Sequence, residues 1–159
     1  MGSTNQLRIV SGGQTGVDRA ALDAAMAAGI PCGGYCPLHR RADDGIIPLH
    51  YPLTETASEE YPVRTRMNVE HSDGTLIIIT GIADRGTMLT EKICRQKRKP
   101  LLIIDLTTVK DISMVTGWMK VSGILVLNIA GPREMSSPGI YKASLEFLDR
   151  LFNAICQGT

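Results

Sequence analysis

The chain has 159 residues, of which 43% are hydrophobic and 21% are charged, the proportions of an ordinary globular protein. These values exclude intrinsic disorder, collagen-like structure and a small disulfide scaffold, and the length predicts one domain with its own core. The 17 basic and 16 acidic residues give a net charge of +1, which lacks the basic excess of a protein that binds nucleic acid.

Short apolar runs alternate with helical stretches along the chain. In chain order, the sequence predicts a strand over residues 7–11, a helix over 17–28, a short strand over 31–35, a helix from 58 to about 72, a strand over 76–79, a helix over 87–98, a strand over 101–104, a helix over 108–122, a strand over 124–129 and a helix over 138–156. Residues 36–66, which overlap the start of the helix predicted from residue 58, contain four prolines and several basic side chains. This composition favours a functional loop.

The later strands are apolar without alternation, as in Leu76-Ile77-Ile78-Ile79. Strands of this kind belong to parallel sheets that helices cover on both faces. The predicted fold class is therefore α/β: a single Rossmann-like doubly wound domain over residues 7–156, with a mainly parallel sheet of five or slightly more strands flanked by helices. Ligands of such folds bind outside the carboxyl ends of the strands.

The first six residues are predicted to be a flexible N-terminus or an expression remnant. They lack the apolar core of an export signal, and no apolar run approaches the ~20 residues of a membrane helix. We therefore expect a cytoplasmic protein with reduced cysteines and no membrane partner. We also expect no metal site, because Cys32 and Cys36 are spaced C-x3-C and no second pair completes a zinc site.

A glycine-rich turn, Ser11-Gly12-Gly13-Gln14-Thr15-Gly16, joins the first strand to the first helix. Free amides at a helix start attract an anion, so this turn is predicted to bind one. It has neither the ending of a Walker A loop nor the G-x-G-x-x-G spacing, which disfavours a typical ATP or NAD enzyme. A tight turn without a ligand is the alternative. If the prediction holds, Gly13→Asp abolishes anion binding and leaves the fold intact.

Other loops at the same predicted edge of the sheet carry polar side chains. After the third strand, Asp84 and Arg85 precede Gly86-Thr87, where Thr87 is predicted to cap a helix and expose amides. Arg133 follows the last strand, and its alternative is a solvated surface turn. Arg41 belongs to a charged run that either is a solvated surface or folds over the crevice.

Together these segments resemble the molybdenum cofactor carrier proteins, over nearly the whole chain and in the same order. That family is part of a larger Rossmann-like group that includes the lysine-decarboxylase-like proteins and the cytokinin-activating phosphoribohydrolases. The matching segments are residues 11–23, 33–37, 41–45, 51–53, 64–65, 68–69, 73–77, 127–134 and 138–141.

The resemblance implies a non-enzymatic protein that binds, protects and delivers the molybdenum cofactor, a pterin whose dithiolene holds molybdenum and which ends in a phosphate. It also implies a homo-oligomer, with a tetramer favoured, and molybdoenzyme apoproteins such as nitrate reductase as recipients. Phosphate, sulfate or molybdate is expected to occupy the same anion site. The residues expected to bind the cofactor are Ser11, Gly12, Gly13, Gln14, Thr15, Gly16, Arg19, Arg41, Asp84, Arg85, Gly86, Thr87, Thr90 and Arg133.

Two other functions stay open: a nucleoside-monophosphate phosphoribohydrolase and a nucleotide-sensing module. The phosphoribohydrolases carry a G-G-x-G-T-x-x-E motif whose Glu takes part in catalysis. In this chain Arg85 replaces one of the glycines and Thr90 stands at the Glu position. A threonine cannot act as a carboxylate acid or base, and Glu91 points about 100° further round the helix. This difference favours a carrier.

Overall fold

Nine strands and five α-helices lie along residues 6–158, the part of the chain that the computed structural model describes, and five of the short strands follow one another between the first two α-helices. The strands are β1 (Arg8–Val10), β2 (Cys32–Gly33), β3 (Tyr35–Cys36), β4 (Arg41–Ala42), β5 (Gly45–Ile46), β6 (Thr54–Glu55), β7 (Gly74–Ile79), β8 (Leu101–Asp105) and β9 (Val126–Ala130). The helices are α1 (Val17–Ala27), α2 (Tyr61–Glu70), α3 (Arg85–Gln96), α4 (Ile112–Ser122) and α5 (Ile140–Gln157). The predicted flexible N-terminus lies, except for Gln6, outside the described residues.

Five of these strands form the central sheet in the order β2-β1-β9-β7-β8, and every pair is parallel. This arrangement confirms the predicted α/β fold class. The last strand, β9, lies between β1 and β7, with Val10 opposite Asn128 and Ile77 opposite Ala130. The register brings the carboxyl ends of β1, β9 and β7 to one edge, where ligands of such folds bind.

Helices α1 and α5 pack closely against each other beside the sheet. The buried residues of α1 include the small side chains of Ala20, Ala21 and Ala24, all fully buried. Because they are small, the large side chains of α5, such as Phe147 and Phe152, also become fully buried. Full burial of a side chain of that size stabilises the fold by roughly 1.5–3 kcal/mol.

The helix starts differ from the predicted ones where an aspartate caps the helix. Helix α3 begins at Arg85 instead of Thr87, because the Asp84 side chain accepts a hydrogen bond from the Thr87 amide at 2.9 Å. Helix α4 begins at Ile112 instead of residue 108, because Asp111 caps it through the Ser113 amide. Asp84 therefore caps α3 and Asp111 caps α4, and the prediction that Thr87 caps a helix was wrong.

The segment predicted as a long loop contains short paired strands. Strand β4 pairs antiparallel with β5, and β3 pairs parallel with β6. The predicted strand over residues 31–35 is divided at Gly34, whose φ of 128° is open to glycine and which touches the Ser11 backbone. The chain therefore leaves the central sheet at Gly34 and builds a layer over the glycine-rich turn.

Candidate functional site

A cleft of about 240 Å³ opens at the carboxyl edge of the sheet, where the loops after β1, β7 and β9 meet the start of α2. It is called the edge cleft below. The residues that line it are Gln14, Asp18, Tyr61, Pro62, Arg64, Thr65, Asp84, Arg85, Gly86, Leu89, Thr90, Ala130, Gly131 and Arg133. Its position is the one that the fold predicts for a ligand.

One wall of the edge cleft is the start of α3, which Asp84 organises. The Asp84 Oδ1 atom accepts from the Thr87 amide at 2.9 Å and from the Thr87 hydroxyl at 2.7 Å, and Oδ2 accepts from the Arg133 amide at 3.1 Å. Burial opposes ionisation here, but these hydrogen bonds outweigh it and lower the pKa of Asp84. Asp84 thus joins the loops after β7 and β9 into one surface.

Tyr61 lines the outer part, or entrance, of the edge cleft, and three arginines lie around its ring. Two of them are already paired with carboxylates, Arg64 with Asp18 and Arg133 with Asp43. The guanidinium carbons of Arg41, Arg64 and Arg133 lie 5.2, 5.5 and 5.4 Å from the ring centroid. Arg85 is exposed on the α3 side. Guanidinium groups bind phosphate and other oxyanions through their planar fork of donors, so this entrance favours an anionic ligand.

Deeper in the edge cleft lies a buried ion pair. Arg64 Nη1 is 3.3 Å from Asp18 Oδ2, and the two side chains are 13% and 5% exposed. The same Oδ2 atom accepts from the Gln14 amide at 3.2 Å. Burial raises the pKa of Asp18, while Arg64 and the Gln14 amide oppose that rise.

The glycine-rich turn is filled by the chain itself. Three of its amides already have acceptors: Gly13 donates to Ser11 Oγ, Gln14 to Asp18 and Thr15 to Gln14 Oε1. Side chains also cover the glycines, since a Cβ atom on Gly12 would meet Arg64 and one on Gly13 would meet Leu53. The amides of Gly13, Gln14 and Thr15, predicted to be free for an anion, are therefore bonded within the protein.

Arg19 serves the same internal network. Its Nε donates to the Gly13 carbonyl at 2.7 Å, and its two terminal nitrogens donate to Asp44 at 2.9 Å. Thr15, Gly16 and Arg19 line a different cavity, of about 500 Å³, in which Asp23 accepts hydrogen bonds from the hydroxyls of two tyrosines. These three predicted binding residues thus lie apart from the lining of the edge cleft.

The structure divides the predicted binding residues into two groups. Gln14, Asp84, Arg85, Gly86, Thr90 and Arg133 line the edge cleft. Arg41 lies beside it through Tyr61, Thr87 is buried behind it, and Ser11, Gly12, Gly13, Thr15, Gly16 and Arg19 do not line it.

Several cleft residues were absent from the predicted set. The most important are Asp18, Tyr61, Arg64 and Thr65. A signal existed for those on α2, because Tyr61 and Arg64 are spaced i, i+3 on one helix and share a face. Asp18 lies two residues after the glycine-rich turn, in the first turn of α1. Only its burial against Arg64 distinguishes it from an ordinary acidic residue at a helix start.

Within residues 6–158 the structure offers neither a cluster of metal ligands nor a membrane-spanning helix. No group of three or more His, Cys, Asp or Glu side chains in this part of the chain could hold a metal ion. Among the described helices, none is long and apolar enough to cross a membrane.

The parallel sheet and the edge cleft define a Rossmann-like α/β protein with a ligand site at the carboxyl ends of its strands. The family model of the Circularly permutated YpsA SLOG family matches residues 9–152, and the chain belongs to that family. A crystal structure named "Putative molybdenum carrier protein", from Syntrophus aciditrophicus SB, is 45% identical and superposes with a TM-score of 0.89. The match covers 93% of this chain and 95% of that chain, and it confirms the family resemblance indicated by the sequence motifs. No curated protein matches the chain.

Proposed function

We propose that this protein is a non-enzymatic carrier that binds, protects and delivers the molybdenum cofactor, and that the edge cleft is its binding site. The cluster of arginines around Tyr61, with Arg85 on the opposite wall, is the observation that carries the proposal. The cofactor is anionic at its terminal phosphate and at the oxo groups of molybdenum, so several guanidinium groups around one opening suit it. The similarity to a structure named as a molybdenum carrier supports the same ligand.

The size of the edge cleft also suits a carrier. Its volume of about 240 Å³ is below the roughly 300–1,000 Å³ of pockets that enclose a drug-sized ligand. A pterin with its dithiolene and phosphate would therefore be held in part and remain in part accessible. A protein that passes its cargo to an apoenzyme such as nitrate reductase needs that access.

The environment of α3 favours a carrier over a phosphoribohydrolase. Thr90, at the position of the catalytic Glu, donates its hydroxyl to the Gly86 carbonyl at 3.0 Å. The neighbouring Glu91 forms an ion pair of 2.9 Å with Arg95 and does not line the edge cleft. The cleft carboxylates are Asp18, which is bound to Arg64, and Asp84, which caps α3. The other alternative, a nucleotide-sensing module, is tested below by the binding of AMP.

The decisive measurement is retention and transfer of the cofactor. The protein is mixed anaerobically with free cofactor, desalted, and added to cofactor-free nitrate reductase, with AMP hydrolysis assayed in parallel. The expected result is recovery of nitrate reductase activity without release of ribose phosphate. Ribose phosphate released from AMP, without cofactor retention, would contradict the proposal. Tight AMP binding without either result would indicate the nucleotide-sensing module.

A pair of variants on one helix tests the position of the site. Arg85 and Arg95 are both exposed on α3, but only Arg85 lines the edge cleft. We expect Arg85→Gln to weaken cofactor retention by about tenfold, the effect of losing one charged hydrogen bond, while Arg95→Gln leaves it unchanged. Phosphate, sulfate and molybdate are expected to compete with the cofactor in the wild-type protein. Equal effects of the two substitutions would place the site elsewhere.

We propose a homotetramer in the cytoplasm, with neither nucleic acid nor a membrane as partner. Closed symmetric assemblies are the usual outcome for soluble proteins that self-associate. Sedimentation velocity at micromolar concentration tests the tetramer, and a monomer at that concentration would contradict it.

A further inference from the structure

The edge cleft has a floor and an entrance of different chemistry. Behind it lies a small cavity of about 10 Å³, and the side chains of Asp18, Arg64, Thr65 and Thr90 border both spaces. These residues therefore form the floor. Arg85 and Arg133 border only the outer space, so they belong to the entrance. Arg64 on the floor is paired with Asp18 at 3.3 Å, and Arg133 at the entrance is paired with Asp43 at 2.8 Å. Among the described residues the exposed Arg85 has no ion pair, so it supplies the unpaired positive charge at the entrance.

The two carboxylates of the edge cleft differ in how many acceptor positions they have left. Asp84 uses both oxygens for Thr87 and for the Arg133 amide. Both hydrogen bonds described for Asp18, from Gln14 and Arg64, end on Oδ2. A carboxylate has about four acceptor positions. Asp18 therefore has acceptor positions left for a ligand, and these positions lie on the floor of the cleft.

We propose that Asp18 is the residue that recognises the pterin ring, by accepting hydrogen bonds from the 2-amino and N3–H groups of its pyrimidinone edge. This inference rests on the proposed function. An ionised carboxylate accepts hydrogen bonds and donates none, so it attracts this edge and repels a phosphate. The ring end of the cofactor thus lies at Asp18, and the phosphate lies among the entrance arginines.

The Arg64 contact supports this role instead of competing with it. A guanidinium at 3.3 Å favours the ionised form of Asp18, which is the form that accepts two N–H donors. It also fixes the carboxylate in one orientation, and Gly12 leaves room for the pair because a Cβ atom there would collide with Arg64. Asp18 is thus positioned before a ligand arrives.

The test compares two pteridines that differ at one group. In 6-hydroxymethylpterin C2 carries an amino group, and in 6-hydroxymethyl-lumazine it carries an oxygen. Binding of each is followed by ligand fluorescence. We expect the wild-type protein to prefer the pterin by about tenfold or more, since the lumazine leaves a buried acceptor without its donor. In Asp18→Asn the preference is expected to fall to about one.

Asp44→Asn is the matched control, because it makes the same change at a carboxylate that binds Arg19 away from the edge cleft. It should keep the wild-type preference. Pyrophosphate affinity separates recognition from structure: Asp18→Asn is expected to bind pyrophosphate at least as tightly as wild type. Equal loss of pyrophosphate and pterin would show a structural role and overturn the inference.

The experiment also distinguishes this inference from the proposed function. If the wild-type protein binds both pteridines equally, the Asp18 assignment is wrong while the carrier function stands. If it binds neither pteridine and does not retain the cofactor, the carrier function itself fails. Should Asp18→Asn not fold, as judged by its circular dichroism spectrum, Asp18→Glu takes its place. That variant keeps the charge and moves the carboxylate, so it too is expected to lose the preference for pterin, and an unchanged preference would overturn the inference.

Discussion

Two of the glycine-containing turns that join strands to helices in this protein differ in their roles. The turn after β1 contains Gly12, Gly13 and Gly16, and the turn after β7 contains Gly81 and leads to Gly86. In the first turn the chain's own side chains and carbonyls occupy the space beside the glycines. In the second, Gly86 lines the edge cleft. Glycine therefore permits close approach, but the rest of the fold decides whether protein or ligand approaches.

The largest effect is expected when one glycine of each turn is replaced by alanine and the free energy of unfolding is compared. Gly16 has a φ of 85°, and an added Cβ would collide with the Pro132 carbonyl. Backbone strain of roughly 1–2 kcal/mol and overpacking of roughly 1–3 kcal/mol predict that Gly16→Ala lowers the free energy of unfolding by about 2–5 kcal/mol. Gly86 lies within α3 with its nearest atom at 3.7 Å, so Gly86→Ala is expected to stabilise by about 0.5–1 kcal/mol.

Urea denaturation of the two variants beside wild type measures both effects. A Gly16→Ala protein as stable as wild type would show that the first turn is looser than described. The same geometry corrects the expectation for Gly13→Asp. Gly13 has a φ of 78° and lies against Leu53, so this substitution is destabilising and cannot test anion binding alone.

A medium effect is expected from the two cleft carboxylates, Asp18 in the first turn of α1 and Asp84 at the N-cap of α3. Asp84→Ala removes the cap of α3 and is expected to cost about 1 kcal/mol at neutral pH. The pKa of Asp84 is lowered in the folded state. Its stabilising contribution is therefore complete above the ordinary value of 3.8 and is lost as the pH falls toward the lower folded value.

The pKa of Asp18 is shifted in the direction opposite to that of Asp84. Burial raises the pKa of Asp18 above 3.8, so ionising it costs stability at neutral pH, and that cost is relieved as the pH falls through the folded pKa. Carboxyl chemical shifts measured by NMR between pH 2 and 7 should show Asp18 titrating at higher pH than Asp84. The reverse order would contradict the described burial of Asp18.

The smallest expected effect concerns the network behind the first turn. Asp44 accepts two hydrogen bonds from Arg19, but its side chain is 49% exposed. Exposed ion pairs contribute about 0.2–1 kcal/mol, so Asp44→Asn should lower stability by less than 1 kcal/mol. Thermal unfolding at low and high salt measures this difference. A loss of several kcal/mol would mean that Arg19 depends on Asp44 to hold the turn.

The fold could be predicted further than the site. Apolar strands such as residues 76–79 indicated a parallel sheet, because full burial on both faces leaves a local trace in the sequence. The position of the edge cleft followed from the same prediction. Its lining followed only in part. Tyr61 and Arg64 lie in the helix that was predicted from residue 58, but no local pattern shows that this helix packs beside the carboxyl edge of the sheet.

The sequence by itself determined the α/β class, the parallel sheet and the edge at which the cleft opens, because these depend on local periodicity and on the order of elements. Only the tertiary structure decided that the amides of Gln14 and Thr15 are bonded within the chain and that Asp18 and Arg64 meet on the floor of the cleft. Arg64 is 46 residues from Asp18 along the chain. Packing between such distant segments determines which polar groups are bonded within the protein and which are left for a ligand. No local sequence pattern encodes this packing.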